Sequence, residues 1–479
     1  MEFNTTYKLF TWKCQPGIKC IALTLLLTVV LGSCNKMVQI PQPINTITLA
    51  KTFANDANAT SAITAIYSDM SFGGNAASIR FSNGLTSLCA GLYADELIDY
   101  TYAYPQFQSS VILPDDVNVS GAFWNAAYYD IYMANAVIEN LQASTKVSAA
   151  TKKQLTGEAK FLRAFCYFYL VNLFGDVPLV TITDWNKIKL MSRSPATDIY
   201  KQMVEDLQDA QNLLPGDYAI TNGEKIRANS WAATALLARV YLFQKNWSGA
   251  EDQASAVINS GKFNLLTDLA GVFQMNSDET ILQLQTIDAG YYATEEGNNF
   301  IPDDPNSSPR FSLTDQLLAD FEPGDQRRLT WVDSTNFDGT YYYYPGKYKV
   351  KIGTPGSISE YYTLLRYSEQ FLIRAEARAQ LNKLDQALLD VDTIRSRALL
   401  PVLPASLNQS DILTAIAKER RIEFFAEWGH RWFDLKRTGQ AGNVLTPLKS
   451  GWTSNAELWP IPVSERVRDP NLTQNNGYF

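Results

Sequence analysis

Residues 418–437 read KERRIEFFAEWGHRWFDLKR, a stretch where rings and full charges alternate with almost no neutral polar spacer. The spacing predicts a helix over 411–428, with Ser410 or Asp411 as its N-cap. Leu413, Ile416, Ala417, Arg420, Phe424 and Trp428 share one face, and Glu419, Glu423 and Glu427 make a second stripe at four-residue steps. Like charges at that spacing repel. Their partners must come from Arg420, Arg421, Arg431, Lys436 and Arg437, or from elsewhere in the fold. Beside Phe424, Phe425, Trp428, Trp432 and Phe433, such a ladder is expected to form a partly buried ion network against an aromatic core. Glu419 and Glu423 could instead be an acid/base pair. Nearby arginines hold carboxylates low, whereas a general acid needs a raised pKa, so a structural clasp is the favoured reading.

The remaining chemistry is bounded by a few counts. The chain has 479 residues, 46% hydrophobic and 19% charged, which is ordinary globular composition with ample length for a large core. Its net charge of −8 and lack of long like-charge runs exclude the basic footprint of a nucleic-acid binder. His430 is the one histidine. A Ser-His-Asp triad, a Cys-His pair or an ordinary zinc site is therefore poorly supplied. No metal or cofactor site is read from the chain.

The N-terminus carries a targeting signal. Lys8, Lys13 and Lys19 precede an apolar run at 21–31, too short to span a bilayer comfortably. The run ends in Leu31-Gly32-Ser33-Cys34, which fits a lipoprotein signal peptide over 1–33, cleaved before a lipidated Cys34. Several acyl chains on one residue anchor stably, at about 0.8 kcal/mol per buried CH₂. Residues 34–50 are expected to tether the lipid to the domain. Loss of Cys14 and Cys20 and lipidation of Cys34 leave Cys89 and Cys166, which is no disulfide framework.

Helices are expected over 54–70, 87–98, 123–141, 152–173 and 197–214. Between the second and third, residues 99–121 break the pattern with Pro105 and Pro114 and carry Tyr100, Tyr102, Tyr104 and Phe107. Long loops are usually functional or disordered, and many aromatics argue against disorder. Residues 235–250 and 371–387 repeat one theme: small residues at a helix crossing, a short polar turn, then an apolar residue (Trp247, Leu384) and an alanine (Ala250, Ala387). That is tetratricopeptide-like helix–turn–helix chemistry, in scattered copies. The expected fold is mainly α: a scaffold of such helix pairs with long irregular inserted loops. It divides into an N-terminal helical part, 51–287, and a C-terminal part, 288–479, which opens with an insertion at 288–359. The insertion holds Tyr291, Tyr292, Trp331 and Tyr341 to Tyr344, with a hairpin expected around Pro345-Gly346.

In order along the chain, these features resemble the SusD/RagB family of outer-membrane nutrient-binding lipoproteins. The resemblance rests on Cys34, Asp95-Glu96 before an aromatic loop, and Trp124-x3-Tyr128-x2-Ile131-x3-Asn135. It continues through Arg163-Ala164, Phe174 to Pro178, Arg366-Tyr367-Ser368-Glu369 with Arg374-Ala375-Glu376-Ala377, and the opening stretch. Leu458 to Pro462 and 471–478 close the series. It implies a non-enzymatic SusD-like protein with no cofactor, lipid-anchored in the outer membrane. Such proteins act as lids on a SusC-like, TonB-dependent transporter and capture oligosaccharides, or in some branches peptides, at the cell surface. Exported relatives often carry acidic residues soon after the lipidated cysteine; here Asn35, Lys36 and Met37 follow.

A sugar presents flat C–H faces and a rim of hydroxyls, which rings and polar groups can cover. The expected ligand contacts are Tyr100, Tyr102, Tyr104 and Phe107 from the first loop, and Tyr291, Tyr292, Trp331 and Tyr341 from the second. Asp99, Asn298 and Asn299 lie nearby in sequence. Peptide capture, a carboxylate-only glycoside hydrolase and a tetratricopeptide adaptor remain the alternatives.

Overall fold

The computed structural model describes residues 49–72, 79–286 and 292–479. The signal, Cys34 and most of the tether lie outside the described residues, as does Tyr291. Helix α1 (Asp56–Phe72) leads to α2 (Leu85–Tyr93) and the short strand β1 (Leu97–Asp99). Residues 94–98, expected to complete the helix over 87–98, turn into this strand instead. A π-helical stretch, Asn118–Asn125, runs into α3 (Ala126–Ala143), so that helix begins five residues earlier than its periodicity indicates. There follow α4 (Ala149–Phe174), α5 (Ala196–Leu213), α6 (Ser230–Phe243) and α7 (Trp247–Ile258). After a long excursion come α8 (Tyr367–Gln380), α9 (Leu384–Arg397), α10 (Gln409–Phe424) and α11 (His430–Arg437).

From α3 to α10 each helix packs on the next. This includes α7 on α8, although more than a hundred residues separate them. The scattered copies are therefore contiguous in space, and the excursion leaves and rejoins one stack. Tyr367 at the start of α8 donates its hydroxyl to the Ile258 carbonyl at the end of α7 (3.0 Å). Alanines 232, 235 and 238 of α6, 250 and 254 of α7, and 375, 377 and 379 of α8 are all buried, which lets these axes approach closely. Bidentate guanidinium–carboxylate pairs tie the layers together. Arg163 of α4 holds Asp206 of α5 (2.8 and 2.6 Å), and Arg239 of α6 holds Glu369 of α8 (2.7 and 2.6 Å).

The described sheet structure is three two-stranded antiparallel ladders. β1 pairs β3 (Phe311–Leu313), β2 (Thr280–Leu284) pairs β6 (Tyr362–Arg366), and β4 (Val332–Phe337) pairs β5 (Thr340–Pro345). The β4–β5 hairpin turns at Asp338-Gly339, not at Pro345-Gly346. Both turn residues have positive φ (49° and 79°), the requirement of a tight two-residue turn that Asp-Gly meets and Pro-Gly does not. Residues 49–479 form one compact unit, and the 287/288 division falls inside it. No helix among the described residues is long and apolar enough to cross a membrane.

The 418–437 stretch is two helices. Asn408 caps α10 by accepting from the Asp411 N–H (3.1 Å), displacing Ser410 and Asp411 from that role. The helix stops at Phe424 because Ala426 and Trp428 enter the left-handed region (φ 51° and 48°). Trp428 then donates its N–H to Ser87 Oγ (2.7 Å) and its indole to the Thr363 carbonyl (2.7 Å). The partners of the glutamate stripe come mainly from elsewhere. Glu423 receives Arg397 (2.6 Å to both oxygens), Arg366 (2.8 Å) and Arg327 (3.1 Å). Glu419 receives Arg327 (2.5 Å), and Glu427 receives Arg366 (2.9 Å to both oxygens) and Lys347. Glu279 closes the cluster on Arg366 and Arg397.

The stretch's own arginines are buried or partly buried and pair away from the glutamate cluster. Arg421 and Arg431 both grip Asp95 (2.7 and 2.8 Å), Arg420 holds Asp434 (2.7 Å), and Arg437 holds Asp434 and Glu376. Desolvation opposes the charge on Glu423, yet Arg397, Arg366 and Arg327 hold its carboxyl well below the usual range. Burial wins at Glu419 and raises it despite Arg327. His430 is held neutral by burial and by Arg239 and Arg420, with its ring on Phe424 at 4.7 Å.

Two outcomes follow. Arg421→Ala strips one guanidinium from the buried Asp95 and should cost about 3 kcal/mol, at the low end for a broken buried pair because Arg431 remains. Chemical denaturation reads this directly, and a loss under about 1 kcal/mol would refute a buried role. Next to Asp95, burial and the Asp95 charge push Glu96 up to about 8. The unfolded chain releases that proton near 4.5 and the folded chain retains it, so this group's contribution is full below pH 4.5 and is lost on the way to about 8. Glu96→Gln fixes the neutral form, so its stability relative to wild type should rise between pH 5 and pH 8. An equal difference at both pH values would count against the shift.

Candidate ligand-binding platform

The first aromatic loop is organised by Asp99, the last residue of β1. Its buried carboxylate accepts from the Thr101 N–H (2.8 Å), the Thr101 hydroxyl (2.7 Å) and the Tyr104 N–H (2.7 Å). Its own N–H goes to Gln108 Oε1 (2.5 Å). This side chain thus closes a tight loop around 100–104, with Pro105 starting a single helical turn, Pro105–Gln108. Between Thr101 and Tyr104, Tyr102 takes φ 55° and stands 81% exposed. A large aromatic in the left-handed region with its ring in solvent is a strained conformation that the surrounding hydrogen bonds must hold.

Tyr100 donates its N–H to the Arg310 carbonyl (3.0 Å) and meets Tyr342 of β5 edge-on at 5.3 Å. Two loops more than two hundred residues apart therefore share one aromatic surface. Strand alternation settles which hairpin residues join it. In the β4–β5 register Thr335 faces Tyr342 and Phe337 faces Thr340, so Thr335, Phe337, Thr340 and Tyr342 share the Tyr100 side. Thr335 seals the base of that side by donating to the Ser307 carbonyl (3.1 Å), and Phe337 is exposed at the tip.

The eight expected ring contacts divide accordingly. Tyr100 and Tyr102 are on the surface, and Tyr342 and Phe337 join them; strand alternation puts both on the face opposite Tyr341. Tyr341 is 64% exposed but points to the opposite face, with Tyr343, whose ring covers Arg328 at 4.5 Å. Tyr104 is half-buried against Phe107 and Phe311, and burial pushes its hydroxyl up to about 12. Tyr292 backs onto Gly353, where its carbonyl leaves no room for a Cβ. Phe107 and Trp331 are corrections. Phe107 is fully buried, edge-on to Trp459 at 5.1 Å. Trp331 is also buried; its indole donates to the Leu269 carbonyl (2.9 Å), and its ring lies 4.9 to 5.8 Å from Lys347, Arg397 and Arg366. It roofs the clasp's ion network and offers no face to a ligand. Asn298 and Asn299 bond to backbone at Lys351 and Glu295.

A cleft of about 470 Å³ opens elsewhere, on the helical side, between Glu376, Leu413, Ala417, Arg420, Asp434 and Val444. Its charged walls are already paired, Arg420 to Asp434 and Arg437 to Glu376. It is the outer wall of the clasp, so the exposed rings and not this cleft define the candidate site.

Asp99→Ala removes three bonds that shape the loop and touches no scaffold helix. Hydrogen exchange of amides 100–108 should accelerate at least tenfold, a shift of about 1.4 kcal/mol or more in local opening, while the main unfolding transition moves little. Unchanged exchange would show that the loop is held by other contacts.

A family profile described as "Starch-binding associating with outer membrane" matches residues 53–242, and one described as "SusD family" matches 326–478. SusD-like protein P2 of Formosa agariphila is 29% identical, the match covering 82% of this chain and 88% of that protein. A SusD superfamily crystal structure from Bacteroides vulgatus superposes with a TM-score of 0.78 at 21% identity, over 88% of this chain and 99% of that one. A structure described as a laminarin binding SusD-like protein superposes with a TM-score of 0.72 at 25% identity, over 88% and 100%. The stacked helix pairs, the inserted ladders and these matches agree: this chain belongs to the SusD/RagB family.

Proposed function

We propose that this protein is a non-catalytic, lipid-anchored subunit that captures oligosaccharides on the Tyr100–Tyr102–Tyr342 platform and delivers them to a SusC-like, TonB-dependent transporter in the outer membrane. The observation that carries the binding role is the ring contact between Tyr100 and Tyr342, which merges two exposed aromatic segments into one surface. Rings of this kind cover the C–H faces of a sugar at low side-chain entropy cost. The laminarin-binding relative supports the same ligand class. Anchoring through Cys34 rests on the signal sequence, and export to the cell surface on the family alone.

A carboxylate-only hydrolase is disfavoured by the placement of its candidate pair. Glu419 and Glu423 are buried and saturated by Arg327, Arg397 and Arg366, with no room for a sugar between them. A general acid must reach the leaving-group oxygen. Non-catalysis remains part of the proposal, and sugar release by purified protein would overturn it.

Affinity electrophoresis in polysaccharide gels tests the platform. Tyr102→Ala and Tyr342→Ala should each weaken retention about tenfold and together abolish it, at roughly 1–1.5 kcal/mol per ring. Tyr341→Ala, on the other hairpin face, should have the smaller effect. Retention that survives the double change in a folded protein would place the site elsewhere.

A further inference from the structure

The platform's charge pattern constrains what it can hold. Between Arg80 and Lys146 the chain contains no lysine, arginine or histidine, and that interval includes the whole first aromatic loop. Between Arg328 and Lys347 there is again none, and that interval includes the whole hairpin. The cations at its margins are engaged. Arg328 lies over the Tyr343 ring on the far hairpin face, Lys349 bonds Asp333 (2.8 Å) and the Thr330 carbonyl (2.9 Å), and Arg310 sits 3.6 Å from Asp303.

Acidic groups are placed differently. Asp99 is 4% exposed at the base of the loop that bears Tyr100 and Tyr102. Its carboxylate is held by two N–H groups and one hydroxyl, and among the described residues no cation lies within ion-pair distance of it. Asp338 is exposed at the hairpin turn beside Phe337. Arg421 and Arg431 neutralise Asp95 further back, which leaves Asp99 as the carboxylate without an ion pair at the base of the tyrosine loop.

We infer, resting on the platform reading above, that this surface selects uncharged saccharides and rejects polymers bearing sulfate or carboxylate groups. Anionic sugars are recognised by guanidinium forks or ammonium groups that replace the water lost on binding. Here such a group would lie over rings backed by a buried carboxylate, and the cations described at the margins are already engaged. A neutral sugar needs only ring faces for its C–H patches and the exposed phenol hydroxyls of the platform for its rim. The buried Ser312 holds one of these phenols in place by donating to the Tyr100 hydroxyl (3.3 Å).

The test compares the full mature protein with its Tyr102→Ala/Tyr342→Ala variant in native gels. The gels contain a neutral β-glucan, mannan or xylan, or a sulfated or uronate polymer, each at low and at high salt. The expected result is tyrosine-dependent retention at least tenfold stronger on a neutral polymer and insensitive to salt, since no ion pair is available to be screened. Tyrosine-dependent retention on an anionic polymer, equal to or stronger than on the neutral ones, would overturn the charge inference and leave the platform reading standing. Retention that the tyrosine changes do not alter, on any polymer, would overturn the platform reading itself.

Discussion

The Glu423 carboxylate sits where the molecule's separately built parts meet. Arg397 arrives from α9, Arg366 from the end of β6 and Arg327 from the inserted excursion, and all three reach one fully buried side chain of α10. A charge in that position is tolerable only because every lone pair is answered. The geometry is correspondingly unforgiving. The excursion, the ladder and the last helices must all be in register before the cluster closes. Trp331 then excludes water from it. The expense of desolvating so many ions is offset only in that one arrangement, which makes the cluster a register device as much as a source of stability.

The same stretch reaches the binding surface from its outer side. Arg421 and Arg431 fix Asp95, two residues before β1, and β1 ends in Asp99, which folds the tyrosine loop. Arg421 also engages Asp320 of the excursion. The clasp therefore sets the starting point of both aromatic segments without touching a ligand. That explains how a charge-dense helix pair can be so closely specified in a protein whose proposed work is done by neutral rings.

Much of this was legible in the chain, and the rest failed for identifiable reasons. Helix pairs and the clasp were readable because small residues, ring spacing and charge steps repeat locally. The partners of the glutamate stripe were not, because Arg327, Arg366 and Arg397 are distant in sequence and resemble any surface arginine. The ends of α10 depended on Ala426 and Trp428 adopting positive φ, which neither residue type announces. The hairpin turn was misplaced because Pro345-Gly346 is a strong turn signal, although Asp338-Gly339 suits the strand twist better. Trp331 was misassigned for the opposite reason. A tryptophan in a polar insertion looks like a ligand contact until the cations beneath it are seen. Tyr100 and Tyr102 lie on the surface, as expected of tyrosines in a stretch that breaks helical periodicity.

The hydroxyl of Tyr367 on the Ile258 carbonyl pins the exit and the return of the excursion side by side. A loop whose ends are held together by the scaffold can change length at small cost, since each doubling adds only about 0.6 kcal/mol of closure entropy. The hairpin that carries Tyr342 lies inside that loop. Lineages of this architecture can therefore lengthen, trim or exchange the segment proposed to meet the ligand while the helical stack beneath it stays as it is. Ligand preference can then diversify faster than the fold.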